Sequence, residues 1–191
     1  VKLNPIDLGL TQVIANSSNI AFFLKSYDLN EEEVLADFIT IRPLDESKYA
    51  IDLVVDLAKK NPENSFHIYG KGKYFEYNEK PKNIKVINEF IHQKDMPELF
   101  NKYRVALMPT RYDAQGVMMC EMATFGMPVI TTNFEVCIEM LSSFSNVIFL
   151  KENEFRTTLV SDLTLHNLAA INNKFHPKYL VEKELKLLAK L

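Results

Sequence analysis

Val105-Ala106-Leu107-Met108-Pro109-Thr110-Arg111-Tyr112-Asp113-Ala114-Gln115-Gly116-Val117-Met118-Met119-Cys120-Glu121-Met122-Ala123-Thr124-Phe125-Gly126-Met127-Pro128-Val129-Ile130-Thr131 reads, without interruption, as strand, loop, helix and strand. Val105 to Met108 is a continuous apolar run of the kind buried on both faces of a parallel sheet, and Pro109 stops it. Val117 to Phe125 has helical character, and Gly126 followed by Pro128 is the usual order of helix stop signals. Val129-Ile130-Thr131 is the next strand, so the unit is a parallel crossover.

The same alternation extends in both directions. Upstream, Phe38-Ile39-Thr40-Ile41 predicts the first strand, and Tyr49 to Lys60 carries Ile51, Leu53, Val54, Leu57 and Ala58 at helical spacing. Phe66 to Tyr69 is a strand closed by Gly70-Lys71-Gly72, Ile84 to Ile87 is another, and Met96 to Lys102 is a short helix. Downstream, Val147 to Leu150 completes about six strands. This order predicts an α/β fold, a Rossmann-like doubly wound parallel sheet, over residues 37–165. Outside it, Thr11 to Ala15 is strand-like, Asn16 to Ser18 offer caps for a helix through Leu24, and the pattern from Glu154 is helical, broken at Pro177 and ending in Lys178 to Leu191. Residues 166–191 are therefore expected to form a C-terminal helical segment.

Composition sets limits. A chain of 191 residues holds one substantial core, or one domain and pieces of another. Its net charge of −3, with basic residues scattered, argues against a nucleic-acid partner, which needs a concentrated basic face. No apolar run approaches a membrane span. Cys120 and Cys137 lack metal-type spacing and His67, His92, His166 and His176 lie far apart, so no metal site is expected; two free thiols in a reducing cytosol is the simplest reading. The start at Val1, without an initiator Met or a signal pattern, reads as that of a cut fragment.

Ligands of open parallel sheets bind beyond the carboxyl ends of the strands. Three such exits carry unusual residues: Arg42 to Lys48, Gly70 to Gly72, and Pro109 to Gly116. Gly116 permits close backbone approach, and the first-turn amides of the helix beginning at Val117 have no partner inside it, which suits a diphosphate. Arg42 and Lys48 can add a planar fork and a mobile point charge. A carboxylate beside a diphosphate would repel it, so Asp113 and Glu121 are better matched to hydroxyl groups of ribose and sugar. Glu121 lies in the second helical turn and leans back toward the ligand. Residue type alone also allows Arg42 and Lys48 to be solvated surface charges, Asp113 a turn former and Glu121 a helix-surface residue. Gly70-Lys71-Gly72 has Phe75 where a dinucleotide fingerprint needs glycine, which weighs against a nicotinamide dehydrogenase. Met118, Met119, Met122 and Met127 read as core.

Taken together, Pro109 to Ile130 resembles the signature of the glycosyltransferase family 4 (group 1) enzymes: roughly Pro-Ser-x-x-Glu-x-Phe-Gly, four residues, then Glu-Ala-Met-Ala-x-Gly-x-Pro-Val. Asp113 and Glu121 match that family's paired acids. Arg42 to Lys48 resembles its Gly-Arg…Glu-Lys-Gly segment, Phe66 to Gly72 its second strand with Gly-x-Gly, and Asn83 to Phe100 its next strand and short helix. The chain departs from the pattern in having Asp113 for Glu, Ile41 for the Gly before the arginine, and Asn133 to Glu139 in place of a glycine-rich turn.

The resemblance implies one half of a GT-B enzyme, the donor-nucleotide-binding domain, acting on a nucleoside-diphosphate sugar as substrate, with no cofactor, no metal and retention of configuration. It implies catalytic roles for Asp113, Arg42 and Lys48, with Arg42 and Lys48 on the diphosphate and Asp113 on the transferred sugar. It places Glu121 on the ribose, with Gly116, Val117, Gly72, Gln115, Thr110 and Ile91 lining the substrate site and backbone groups near Gly72 and Ile91 reading the base. Residues 1–36 then correspond to a remnant of an acceptor domain and a connector, shorter than expected between Val34 and Phe38. The acceptor is expected to be a glycan or lipid-linked, met in the cytoplasm, with peripheral membrane association of the full-length protein. An isolated fragment is expected to bind nucleotide without efficient sugar transfer. The competing reading is a non-catalytic, transferase-like assembly module.

Overall fold

The computed structural model describes residues 14–167 and 171–189. Six parallel strands, β1 (Ala36–Ile41), β2 (Phe66–Tyr69), β3 (Ile84–Ile87), β4 (Tyr103–Leu107), β5 (Val129–Thr132) and β6 (Val147–Leu150), form one sheet in the order β3-β2-β1-β4-β5-β6. The chain moves outward from β1 to β3, then returns to the other side of β1. The strand order therefore reverses between β1 and β4, where neighbouring connections leave toward opposite faces and open a crevice.

Each strand is apolar because it is covered on both faces. One layer packs Phe38, Phe66, Ile68, Val105 and Leu107 against α2 (Ile51–Lys60), which buries Ile51, Leu53, Val54, Val55, Leu57 and Ala58 and turns Lys59 and Lys60 outward. The other layer holds α5 (Val117–Phe125), in which every residue from Met119 to Phe125 is buried. A helix apolar all round needs cover on its far side. That cover is α1 (Ala21–Leu24), α4 (Met96–Phe100) and the segment around Phe175: Phe22 stacks on Phe100 at 5.9 Å between ring centroids and meets Phe125 edge-on at 6.0 Å. Ser18 N donates to Phe175 O, and Phe23 meets His176. Among the described residues, the stretches before β1 and after β6 thus share the core of the sheet domain.

Most elements fall where their periodicity places them. β1 begins at Ala36 and β4 at Tyr103, two residues before the apolar runs that mark them. Thr11 to Val13 lie outside the described residues. The main correction lies after β6. In place of a continuous helical pattern from Glu154, the chain makes short 3-10 turns at Glu152–Arg156, Val160–Asp162 and Asn173–Phe175, and α7 spans Pro177–Leu188. Asn61 explains part of the difference: its side chain donates to Thr158 O and accepts from Val160 N, pulling the backbone away from helical pairing. The short helix α3 (Tyr74–Tyr77) had no expected counterpart, and α6 (Glu135–Leu141) fills the last crossover.

Candidate functional site

The crevice between β1 and β4 is built from two strand exits. On the β1 side, Arg42 follows Ile41 directly and is only 7% exposed. Its guanidinium lies over the Tyr49 ring at 5.4 Å, and Nη1 stands 3.7 Å from Asp113 Oδ2. Nε and Nη2 are buried without a hydrogen-bond partner. Burial pulls the Arg42 pKa below the ordinary arginine value, while Asp113 opposes the shift. A buried cation with free donors is an unstable arrangement unless an anion completes it.

On the β4 side, Gly116 caps α5 with φ 68°, a left-handed conformation that glycine adopts freely. Asp113 Oδ1 accepts from Gly116 N at 2.9 Å and Gln115 N at 3.2 Å. The carboxylate therefore bridges the approach to the helix tip and Arg42. Val117 opens the helix and is partly exposed there.

Beside Arg42, a cleft of ≈ 410 Å³ lies at the exits of β1, β2 and β3, lined by Ile41, Tyr69, Gly70, Lys71, Ile91 and Met96, among others. Close contact between the β1 and β2 exits shapes its floor. A Cβ on Gly70 would come within 1.9 Å of Arg42 O, and one on Gly72 would meet Asp45 at 2.8 Å. Gly70 rather than Gly72 faces the cleft; Gly72 serves the packing against Asp45, whose Oδ1 accepts from Lys73 N.

The other expected site residues divide. Glu121 is buried, and its Oε1 accepts from Asn19 N and Gln93 Nε2, both at 3.1 Å. Burial raises its pKa, with those two donors acting against the rise. Lys48 packs on the same Tyr49 ring as Arg42, at 4.7 Å from its centroid. Its ammonium is nevertheless paired with Glu46 at 3.0 Å, which raises its pKa. Thr110 and Gln115 use their side chains on the scaffold. Thr110 Oγ1 donates to Lys48 O, while Gln115 Nε2 donates to Asn16 O and its Oε1 accepts from Asn16 N.

Residue patterns did not single out Arg111, Tyr49, Gln93 or Asn19. Arg111 makes a two-pronged pair with Asp52 at 2.8 and 2.6 Å, reaches Glu152 at 3.1 Å, and donates to Ser47 O. It clamps the β4–α5 loop to α2 and the β6 exit. Its partners are distant in sequence, so spacing could not reveal them. Cys120 and Cys137 are free and buried, and burial pushes the Cys120 thiol up to about 12. Among the described residues no group of three or more His, Cys, Asp or Glu is placed to hold a metal.

The model of the glycosyl transferases group 1 family matches residues 27–160, which contain the whole sheet and both strand exits. The chain belongs to that family. No curated protein sequence matches it. Among solved structures, the fold is similar to that of a Staphylococcus aureus TarM mutant in complex with fondaparinux, α-GlcNAc-glycerol and UDP, at a TM-score of 0.66 and 16% identity over 95% of this chain and 40% of that one. It is similar also to the pneumococcal O-GlcNAc transferase GtfA in complex with UDP and GlcNAc (TM-score 0.57, 16% identity, 87% of this chain and 38% of that one). WaaG, a glycosyltransferase of lipopolysaccharide biosynthesis, gives a TM-score of 0.54 at 15% identity, over 93% and 49% of the two chains. This chain spans under half the length of each, and its fold is one Rossmann-like half of a GT-B glycosyltransferase. No described helix of this group 1 domain is long and apolar enough to cross a membrane.

Proposed function

We propose that this chain is the donor half of a retaining, metal-independent glycosyltransferase, binding a nucleoside-diphosphate sugar for transfer to a glycan or lipid-linked acceptor. The observation that carries the reading is Arg42: a guanidinium almost wholly buried at the topological switch point, with two N–H-bearing atoms unpartnered. A diphosphate would take those donors together with amides of the first α5 turn. The base would enter the cleft beside Ile91, with Lys71 at its edge. Glu121 would accept from a ribose hydroxyl, and Asp113 from the transferred sugar. Stabilising the departing nucleotide's charge then falls to Arg42, with Lys48 contributing once it leaves Glu46. Thr110 and Gln115 would hold the loop that carries these groups.

Family membership and the UDP bound in the TarM and GtfA structures support a nucleotide donor. A GT-B site lies between two such halves, so sugar transfer by this half alone is expected to be poor. The test is a thermal-shift panel of nucleoside diphosphates, since a ligand at about a hundredfold excess over its Kd adds ~2.7 kcal/mol of stability. At least one diphosphate is expected to raise the melting temperature, and Arg42→Ala to abolish the rise. Equal shifts in the two proteins would instead favour a transferase-like assembly module.

A further inference from the structure

Asp113 occupies a position that its proposed role on the sugar does not explain. Its Oδ1 takes the amides of Gln115 and Gly116, and its Oδ2 is 3.7 Å from Arg42 Nη1. The Arg42 guanidinium is the cation a diphosphate would use, and among the described residues Asp113 is its only ion-pair partner. The contact is long for a charge-assisted bond and leaves Arg42 Nε and Nη2 buried and unsatisfied. A carboxylate has too few oxygens to complete a seat shaped for a larger anion.

We infer that Asp113 is a built-in stand-in for the donor phosphate, which holds the β4–α5 loop in place while the site is empty and is displaced when a diphosphate binds. The inference rests on the nucleotide reading of Arg42. Asp113 and a diphosphate cannot share the seat, because like charges at contact distance repel. Displacement frees the carboxylate from the Gln115 and Gly116 amides, and Tyr112 to Ala114 are the short stretch over which the loop must turn. Gln115 is pinned to Asn16 and Arg111 to Asp52, so the movement is confined between two fixed points. The same group thus guards the seat before binding and becomes available to sugar hydroxyls after it, which couples diphosphate entry to readiness for the sugar.

The deciding variant is Asp113→Asn, which keeps an oxygen to accept from the Gln115 and Gly116 amides and removes the charge. Binding of inorganic pyrophosphate and of UDP would be measured by isothermal titration calorimetry on this chain, with thermal melting to confirm that each variant is folded. Asp113→Asn is expected to bind both anions about fivefold more tightly, because the charge that competes for Arg42 is gone. Arg42→Ala should lose both. Unchanged or weaker binding in Asp113→Asn, with binding lost in Arg42→Ala, overturns the stand-in and leaves the nucleotide reading intact. Undiminished binding in Arg42→Ala removes that reading, and this inference with it.

Discussion

Two arginines flank the switch point, and their surroundings are opposite. Arg111, in the β4–α5 loop, engages Asp52, Glu152 and Ser47 O with its whole donor fork, and its partners raise its pKa beyond the ordinary range. Arg42, at the β1 exit, is more deeply buried, has one long ion pair, and is pushed the other way by desolvation. Folding satisfies the first and leaves the second wanting. What separates the two is therefore the state of their donors; residue type and a place at a strand exit are shared.

The largest expected effect comes from replacing each arginine by methionine, which keeps the stem and deletes the charge. Arg42→Met should weaken nucleoside-diphosphate binding more than about a hundredfold, since losing a buried charge-assisted contact costs ~3 kcal/mol. It should leave the free protein as stable as before or up to ~1 kcal/mol more stable, because an incompletely paired buried charge is removed. Titration calorimetry beside urea unfolding reads both quantities. A destabilised Arg42→Met protein would break the contrast.

Moving Arg42 without altering its side chain is the next test. Gly70→Ala sets a Cβ against the Arg42 carbonyl, and backbone cannot yield as a flexible side chain would. A loss of about 2–3 kcal/mol of stability is expected, along with weaker nucleotide binding as the guanidinium shifts. Urea unfolding with unchanged slope and a lowered midpoint is the expected signature.

These residues also mark how far the sequence could be read. The sheet was legible because its strands are buried on both faces and read as bare apolar runs, such as Phe66 to Tyr69 and Val147 to Leu150. The α5 signals were legible because Gly116 and Gly126 both take positive φ, where glycine is favoured. Asp113 and Glu121 were legible as candidates through the spacing of the motif, and Arg42 through its place at a strand exit. The seat of Asp113 on the helix approach was not, because an acid before a glycine gives no sign of which amides it takes. Nor were Arg111's partners, nor the turns after β6, where Asn61 reaches from another element to override a local helical pattern. Long-range pairing of this kind has no period.

Arg111→Met should produce the mirror image of Arg42→Met: a stability loss of about 1–2 kcal/mol, modest because Asp52 and Glu152 are each about two-fifths exposed. Nucleotide affinity should fall only as far as the loop loosens. High salt should narrow the stability gap between wild type and variant, as screening weakens the partly exposed pairs. A gap that persists at 1 M salt would show that packing rather than charge ties the loop down.

The smallest expected effect concerns Glu121, which shares features of both arginines: two good partners, yet a carboxylate buried deeply enough that its pKa rises. Because the folded-state pKa lies above the ordinary value of 4.5, the native protein binds the extra proton, and stability falls as pH rises through that folded-state pKa. Below about pH 4 the group is protonated in both states and the penalty is absent. Glu121→Gln keeps an oxygen for Asn19 N–H and for Gln93 while removing the charge. It should therefore raise stability at pH 7 and leave it unchanged near pH 4. It should also weaken nucleotide binding about fivefold, through loss of an ionic acceptor for the ribose. Thermal melting across pH, with and without the diphosphate, separates the two effects. A variant less stable at pH 7 would mean that the two hydrogen bonds outweigh the buried charge, and Glu121 would then belong with Arg111 as part of the frame.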